Sequence, residues 1–139
     1  VDYFVKKWEN KISEFTFFGI DRNHNVVEHS IQNSKRAGID DISNFKAQSI
    51  EKLSRPKGPE GLVIVNPPYG SRIGKKKDLF SLYRTFGEKM KNEFSGWRVG
   101  MITSDNALAQ STKLPLISSE LAISNGGLKI HLYRTETLA

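Results

Sequence analysis

Two hydrogen-bond acceptors on a rigid piece of backbone are the first chemistry that the chain suggests. In Asn66-Pro67-Pro68-Tyr69 the Asn66 side-chain carbonyl and the Pro67 backbone carbonyl stand next to each other. Neither proline carries an N–H, and each ring fixes φ near −65°, so the acceptors stay where the chain puts them. A nucleobase amino group is a poor nucleophile because its lone pair is delocalised into the ring. If its two N–H bonds point at two fixed acceptors, the nitrogen becomes more tetrahedral and more electron-rich, and can attack an electrophilic methyl. Groups fixed in advance for that purpose lower a barrier by electrostatic preorganisation. Tyr69 adds an aromatic face, on which a base can stack only after it has left its helix. The plain alternative is a turn after a strand, since paired prolines end strands in any protein.

The elements around the motif favour the chemistry. Gly61-Leu62-Val63-Ile64-Val65 is short, apolar and without polar alternation, so it reads as a buried strand covered on both faces. The prolines stop it. Asn66 therefore falls at the carboxyl end of a strand, where open α/β sheets place their ligands.

Composition sets the outer bounds. The 139 residues fit one domain with a real core. With 26% charged and 37% hydrophobic residues, the chain is neither a disordered tail nor a membrane protein. No apolar run has the length of a membrane span and no signal peptide opens the sequence, so a cytoplasmic setting is expected. There is no cysteine, hence no disulfide and no cysteine-based zinc site. His24, His29 and His131 share no metal-ligand spacing, and no metal is expected. A net charge of +6 suits a polyanionic partner.

In chain order, Val1 to Ser13 reads as a helix with Val1, Phe4, Val5, Trp8 and Ile12 on one face. Phe15 to Asp21 is a strand of aromatic and branched residues. A helix capped by Asn23 and closed at Gly38 follows, with Val27 and Ile31 on one face. Asn44 to Gln48 is a short strand with Phe45 and Ala47 on one side, and Ser54 to Pro59 a basic loop. Beyond Tyr69, Gly70 to Lys77 reads as a glycine-containing cationic loop, with Asp78 capping the next helix. Leu79, Tyr83, Phe86 and Met90 form that helix's apolar stripe, and Tyr83 and Phe86 read as core. Trp97 to Thr103 is a buried strand, and Ser104 or Asp105 caps a short helix through Gln110. Glu120 to Ser124 and Leu128 to Arg134 flank Asn125-Gly126-Gly127, a strong hairpin signal. The alternation argues for an α/β fold with a mostly parallel sheet between helices and one antiparallel strand from the closing hairpin.

Two further groups have candidate roles. Asp21, at the end of its strand, can take both hydroxyls of a ribose, as in dinucleotide-binding folds. It can equally serve as a negative charge at a helix N-terminus. The Asn66 motif downstream favours the ribose. Arg72, Lys75, Lys76 and Lys77 beside a catalytic strand end suggest phosphate contacts, although a lysine run is often only a solvated loop.

Asn66-Pro67-Pro68-Tyr69 resembles the signature of S-adenosylmethionine-dependent methyltransferases that modify exocyclic amino groups in DNA and RNA. Gly19-Ile20-Asp21-Arg22 through Ala37-Gly38-Ile39 resembles the same family's cofactor segment. Leu79 to Tyr83, Phe94-Ser95-Gly96-Trp97 and Asn125-Gly126 to Leu132 look most like the ribosomal RNA guanine methyltransferases and their THUMP-linked relatives, often described as adenine-specific DNA methylases. The resemblance implies a Rossmann-like class I methyltransferase sheet and S-adenosylmethionine as cofactor. It implies Asp21, Arg22, Gln48, Ser49 and Asn66 around that cofactor. It also implies methyl transfer to a flipped guanine of ribosomal RNA, with adenine in DNA or a non-catalytic nucleic-acid-binding remnant as alternatives. Three departures stand out. Gln48 and Ser49 occupy the place of the family's adenine-contacting Asp. The motif continues Gly70-Ser71-Arg72, where the family has Gly-Glu-Arg. No G-x-G precedes Asp21. The chain therefore reads as a partial catalytic domain over 1–139 lacking the first strand, the glycine-rich cofactor turn and the N-terminal RNA-binding region. The remainder of a longer chain is expected, and the chain alone is expected to bind cofactor weakly or not at all and to have no methyltransferase activity.

Overall fold

The computed structural model describes residues 15–69 and 76–139, and these fall into two compact units, the first ending at Lys52 and the second beginning at Leu53. The helix expected over Val1 to Ser13 lies outside the described residues.

In the first unit, β1 (Phe17–Asp21) leads through α1 (His24–Ala37) to β2 (Ser43–Ala47), and a 3-10 turn (Ile50–Lys52) follows. The two strands pair in parallel, with Phe17 beside Ser43 and Asp21 beside Ala47. The expected caps are present. The Asn23 side chain accepts the Asn25 N–H, which relieves an unpaired donor of the first turn. At the other end the Gly38 N–H bonds Lys35 and the Ile39 N–H bonds Ser34, the paired bonds of a Schellman ending. Lys35 and Arg36 meet the negative end of the helix dipole there. Val27 is buried. Phe45 and Ala47 lie on the less exposed side of β2.

The second unit holds β3 (Leu62–Val65), α2 (Lys76–Glu93), β4 (Arg98–Thr103), α3 (Asn106–Ser111), β5 (Ile117–Asn125) and β6 (Leu128–Arg134). Its sheet has the order β3-β4-β6-β5. β3 and β4 are parallel, and β6 is antiparallel to both of its neighbours, so β6 alone runs against the rest. The β5–β6 turn is made by Gly126 and Gly127 at φ +57° and +82°. Two consecutive positive φ values define the tight hairpin turn whose twist matches its strands, and glycine takes them without a Cβ penalty. β5 is longer than the expected Glu120 to Ser124, and a register shift between Ser118 and Ala122 lets it continue along β6.

The core of this unit comes from the expected stripe of α2 against β4 and α3. Leu79, Tyr83, Phe86 and Met90 are buried, together with Val99, Met101 and Leu108. Gly87 lies on the same helix where it meets the residue after α3: a Cβ there would stand 2.0 Å from the Thr112 carbonyl oxygen. Asp105 caps α3 through Leu108 N–H, as one of the two expected residues. The tail continues along β4: Thr135 exchanges bonds with Val99, and the Leu138 N–H bonds the Trp97 carbonyl.

Two expectations are corrected. β3 is not covered on both faces, for Leu62 is 50% and Ile64 70% exposed while Val63 and Val65 are half-buried. Among the described residues β3 pairs only with β4, so it ends its sheet, and its outward side chains have nothing over them. β1 likewise pairs only with β2. The second correction is at α2. The helix begins at Lys76, which makes Asp78 a first-turn residue instead of a cap and places Lys76 and Lys77 on the helix, not in a loop. Lysine is a good helix former, and the carboxylate of Asp78 offsets the unfavourable cations at the positive end of the dipole.

Candidate functional site

In the second unit, the candidate site stands at the carboxyl ends of β3 and β4. β3 ends at Val65, beside Met101, and Asn66-Pro67-Pro68-Tyr69 leaves the sheet there. Asn66 is exposed, and among the described residues its side-chain carbonyl holds no partner, so it is open to a ligand N–H. Pro67, Pro68 and Tyr69 are half-buried.

The loop is tied down from inside. The Tyr83 hydroxyl, on α2, lies 3.3 Å from the Pro68 carbonyl oxygen and 3.1 Å from Thr103 Oγ1 at the end of β4. Thr103 Oγ1 also accepts the Asp105 N–H at 3.2 Å. Burial pushes the Tyr83 phenol above its ordinary pKa, against the opposing effect of the Thr103 hydrogen bond, with the Asp105 and Tyr69 charges adding to the rise. The phenol is thus a neutral hydrogen-bonding group across the ordinary pH range. Sequence reasoning placed Tyr83 only in the core. Its polar tip was the missed signal, because a buried tyrosine O–H nearly always finds a partner.

In the first unit, Asp21 and Gln48 stand together at the carboxyl end of the parallel pair, joined by the Gln48 N–H to the Asp21 carbonyl at 2.9 Å. The Asp21 carboxylate accepts the Asn23 N–H at 2.7 Å, so the helix-terminus role is met by a real bond. Asp21 is exposed and also borders an open concavity of about 220 Å³ with Gly19, Ile20 and Val26. The Gln48 amide donates to the Lys52 carbonyl at 2.7 Å, which leaves its oxygen as the end that meets a ligand. The Glu51 carboxyl is held below its usual range first by its own backbone amide and then by the Ser49 hydroxyl. Ser49 immediately precedes the 3-10 turn, and its carbonyl accepts the Lys52 N–H at 3.1 Å. Arg22 is exposed. Lys76 and Lys77 are exposed on the first turn of α2, and Arg72 and Lys75 lie outside the described residues.

A profile of the UPF0020 family, described as the RMKL-like methyltransferase domain, matches residues 3–133. The chain belongs to that family. Among the relatives of this RMKL-like domain is the ribosomal RNA large subunit methyltransferase K/L of Vibrio cholerae, 33% identical over 119 residues. That match takes in 85% of this chain but only 17% of the relative, so the chain spans a small part of the protein it resembles. Among solved structures, SMU.472, described as a candidate methyltransferase complexed with SAH, superposes with a TM-score of 0.75 at 25% identity, over 88% of this chain and 32% of that one. A predicted N6-adenine-specific DNA methylase from Listeria monocytogenes superposes with a TM-score of 0.67 at 23% identity, over 86% of this chain and 30% of that one. The fold of this RMKL-like domain is the α/β fold of class I methyltransferases. No helix among its described residues is long and apolar enough to cross a membrane.

Proposed function

We propose that this chain is the target-base part of an S-adenosylmethionine-dependent methyltransferase acting on the exocyclic amino group of a guanine in ribosomal RNA. The observation that carries it is Asn66-Pro67-Pro68-Tyr69 at the carboxyl end of β3, with the Asn66 carbonyl exposed and unpartnered among the described residues. The Asn66 and Pro67 carbonyls accept the two N–H bonds of the amine and leave its lone pair directed away from the ring plane. Tyr69 stacks on the extruded base. These residues orient the nucleophile and raise its electron density, which is the protein's share of the barrier.

The residues of the first unit suit the ribose and adenine of the cofactor. An exposed carboxylate, Asp21, borders a concavity, and the Gln48 side-chain oxygen stands at the same strand ends. S-adenosylmethionine, when bound, supplies the electrophilic methyl. Asp21 accepts ribose hydroxyls, Gln48 and Ser49 meet the adenine edge, and Arg22 flanks them. Arg72, Lys75, Lys76 and Lys77 contact RNA phosphates. On this reading the chain is a partial catalytic domain, and by itself binds S-adenosylmethionine weakly or not at all, because Asp21 and Gln48 are assigned only to its ribose and adenine. The name of the Vibrio cholerae relative supports RNA as the substrate. The Listeria monocytogenes likeness is one of fold, and adenine in DNA is the rival outcome.

The test is to incubate the gene product that carries this chain with labelled methyl donor and either ribosomal RNA or duplex DNA, then digest and identify the modified nucleoside. N2-methylguanosine from RNA is expected. N6-methyladenine from DNA overturns the substrate, and no methylation of either, with RNA binding retained, overturns the enzyme.

A further inference from the structure

We propose that Tyr83 is a positioning residue for methyl transfer, holding the Pro68 peptide through a hydrogen-bond relay anchored at the end of β4. The inference rests on the target-base role of Asn66-Pro67-Pro68-Tyr69 given above.

Pro67 and Pro68 have no N–H, so their carbonyls are the sole backbone handles by which hydrogen bonds can fix that segment. A donor must come from elsewhere in the fold. Tyr83 is 1% exposed, its ring packed into the core, and its hydroxyl is 3.3 Å from the Pro68 carbonyl oxygen. The same hydroxyl is 3.1 Å from Thr103 Oγ1, which is 3.2 Å from the Asp105 nitrogen. A phenol has one proton, and a carbonyl can only accept. For all three contacts to be hydrogen bonds at once, donors and acceptors balance in one arrangement. Asp105 N–H donates to Thr103 Oγ1, the Thr103 hydroxyl donates to the Tyr83 oxygen, and the Tyr83 hydroxyl donates to Pro68. Such a chain polarises along its length and strengthens its last bond.

The last bond has a geometric consequence. The Pro68 carbonyl belongs to the planar peptide that begins Tyr69, so fixing that oxygen fixes the plane from which the Tyr69 side chain starts. The other end of the relay is rigid, because Thr103 is wholly buried and Asp105 caps α3 through the Leu108 N–H at 3.0 Å. α2, β4 and α3 thus converge on one loop carbonyl. Burial keeps the phenol protonated, so it remains a donor. The Tyr83 ring serves the core; its hydroxyl serves the loop.

The experiment compares Tyr83→Phe, Thr103→Ser and Thr103→Val with the parent in the gene product that carries this chain. Tyr83→Phe keeps the ring and removes the donor. The turnover number is expected to fall about tenfold to a hundredfold, as misplacement of a reacting group does, with KM for RNA and Kd for the cofactor within about threefold. Thr103→Ser keeps the relay and retains turnover near the parent value, Thr103→Val falls as Tyr83→Phe does, and the double variant is no worse than either single one. Parental turnover in Tyr83→Phe, with Asn66→Ala inactive, overturns the relay and leaves the target-base role standing. Parental turnover in Asn66→Ala overturns that role instead. If Tyr83→Phe loses its cooperative melt, the two Thr103 variants decide, and equal turnover in both overturns the relay.

Discussion

At Gly87 a single methyl group decides how closely two segments can meet. The Cβ of an alanine would stand 2.0 Å from the Thr112 carbonyl, which is backbone and has little room to yield. Alanine gains up to about 1 kcal/mol over glycine as a helix former. Overpacking against a fixed group costs about 1–3 kcal/mol, and here the obstacle is a main-chain oxygen, so the cost wins. Gly87→Ala is expected to lower the urea midpoint with an unchanged slope. A higher midpoint would mean that α2 shifts freely past Thr112. The same scale shows what the sequence could and could not disclose. The motif Asn66-Pro67-Pro68-Tyr69 was legible because its types and order are chemical in themselves. The tie from Tyr83 to Pro68 was not, because its partners stand 15 residues before it and 20 after it, and helical periodicity records only which side of α2 is apolar.

At the scale of elements, most of the fold could be read from spacing and caps. The α2 stripe, the Asn23 and Gly38 ends of α1 and the Asn125-Gly126-Gly127 turn each depend on residues within a few positions of one another, and each is present. What failed was coverage. Leu62 and Ile64 read as buried because they are apolar, but burial of a strand depends on what lies across its face, which no local pattern contains. The start of α2 failed for a related reason: the lysines that read as a loop are good helix formers and continue the helix to Lys76. Their position gives a prediction. Replacing Lys76 and Lys77 by Gln is expected to weaken RNA binding and to flatten the slope of log affinity against log salt by about 0.7–0.9 for each phosphate that is no longer neutralised. A slope equal to that of the parent would make these lysines solvent-facing residues only.

For the molecule as a whole, two buried phenols set an alkaline limit. Burial is the leading cause of the raised pKa of both Tyr83 and Tyr133. In the unfolded chain these groups ionise near pH 10. A raised folded-state value means that their contribution to stability is complete below that pH and is lost as pH rises above it, because the unfolded chain releases the protons first. Urea unfolding is therefore expected to be insensitive to these groups below about pH 9 and to show falling stability by about pH 11. Tyr83→Phe is expected to make that decline shallower, and an equally steep decline in the variant would contradict the assignment.

The two units carry distinct parts of the proposed chemistry, Asp21 and Gln48 in the first and Asn66 to Tyr69 in the second. Gln48 and Ser49 depart from the family pattern in the first, and Ser71 departs from it in the second, which keeps its motif intact from Asn66 through Tyr69. The central claim therefore rests on Asn66. The measurement that tests it most directly is single-turnover transfer of a labelled methyl group to ribosomal RNA by Asn66→Ala and by its parent, with cofactor affinity determined on both. Loss of one preorganised acceptor predicts a rate lower by about a hundredfold or more, with cofactor affinity changed far less. A variant that transfers methyl groups at the parental rate would contradict the account.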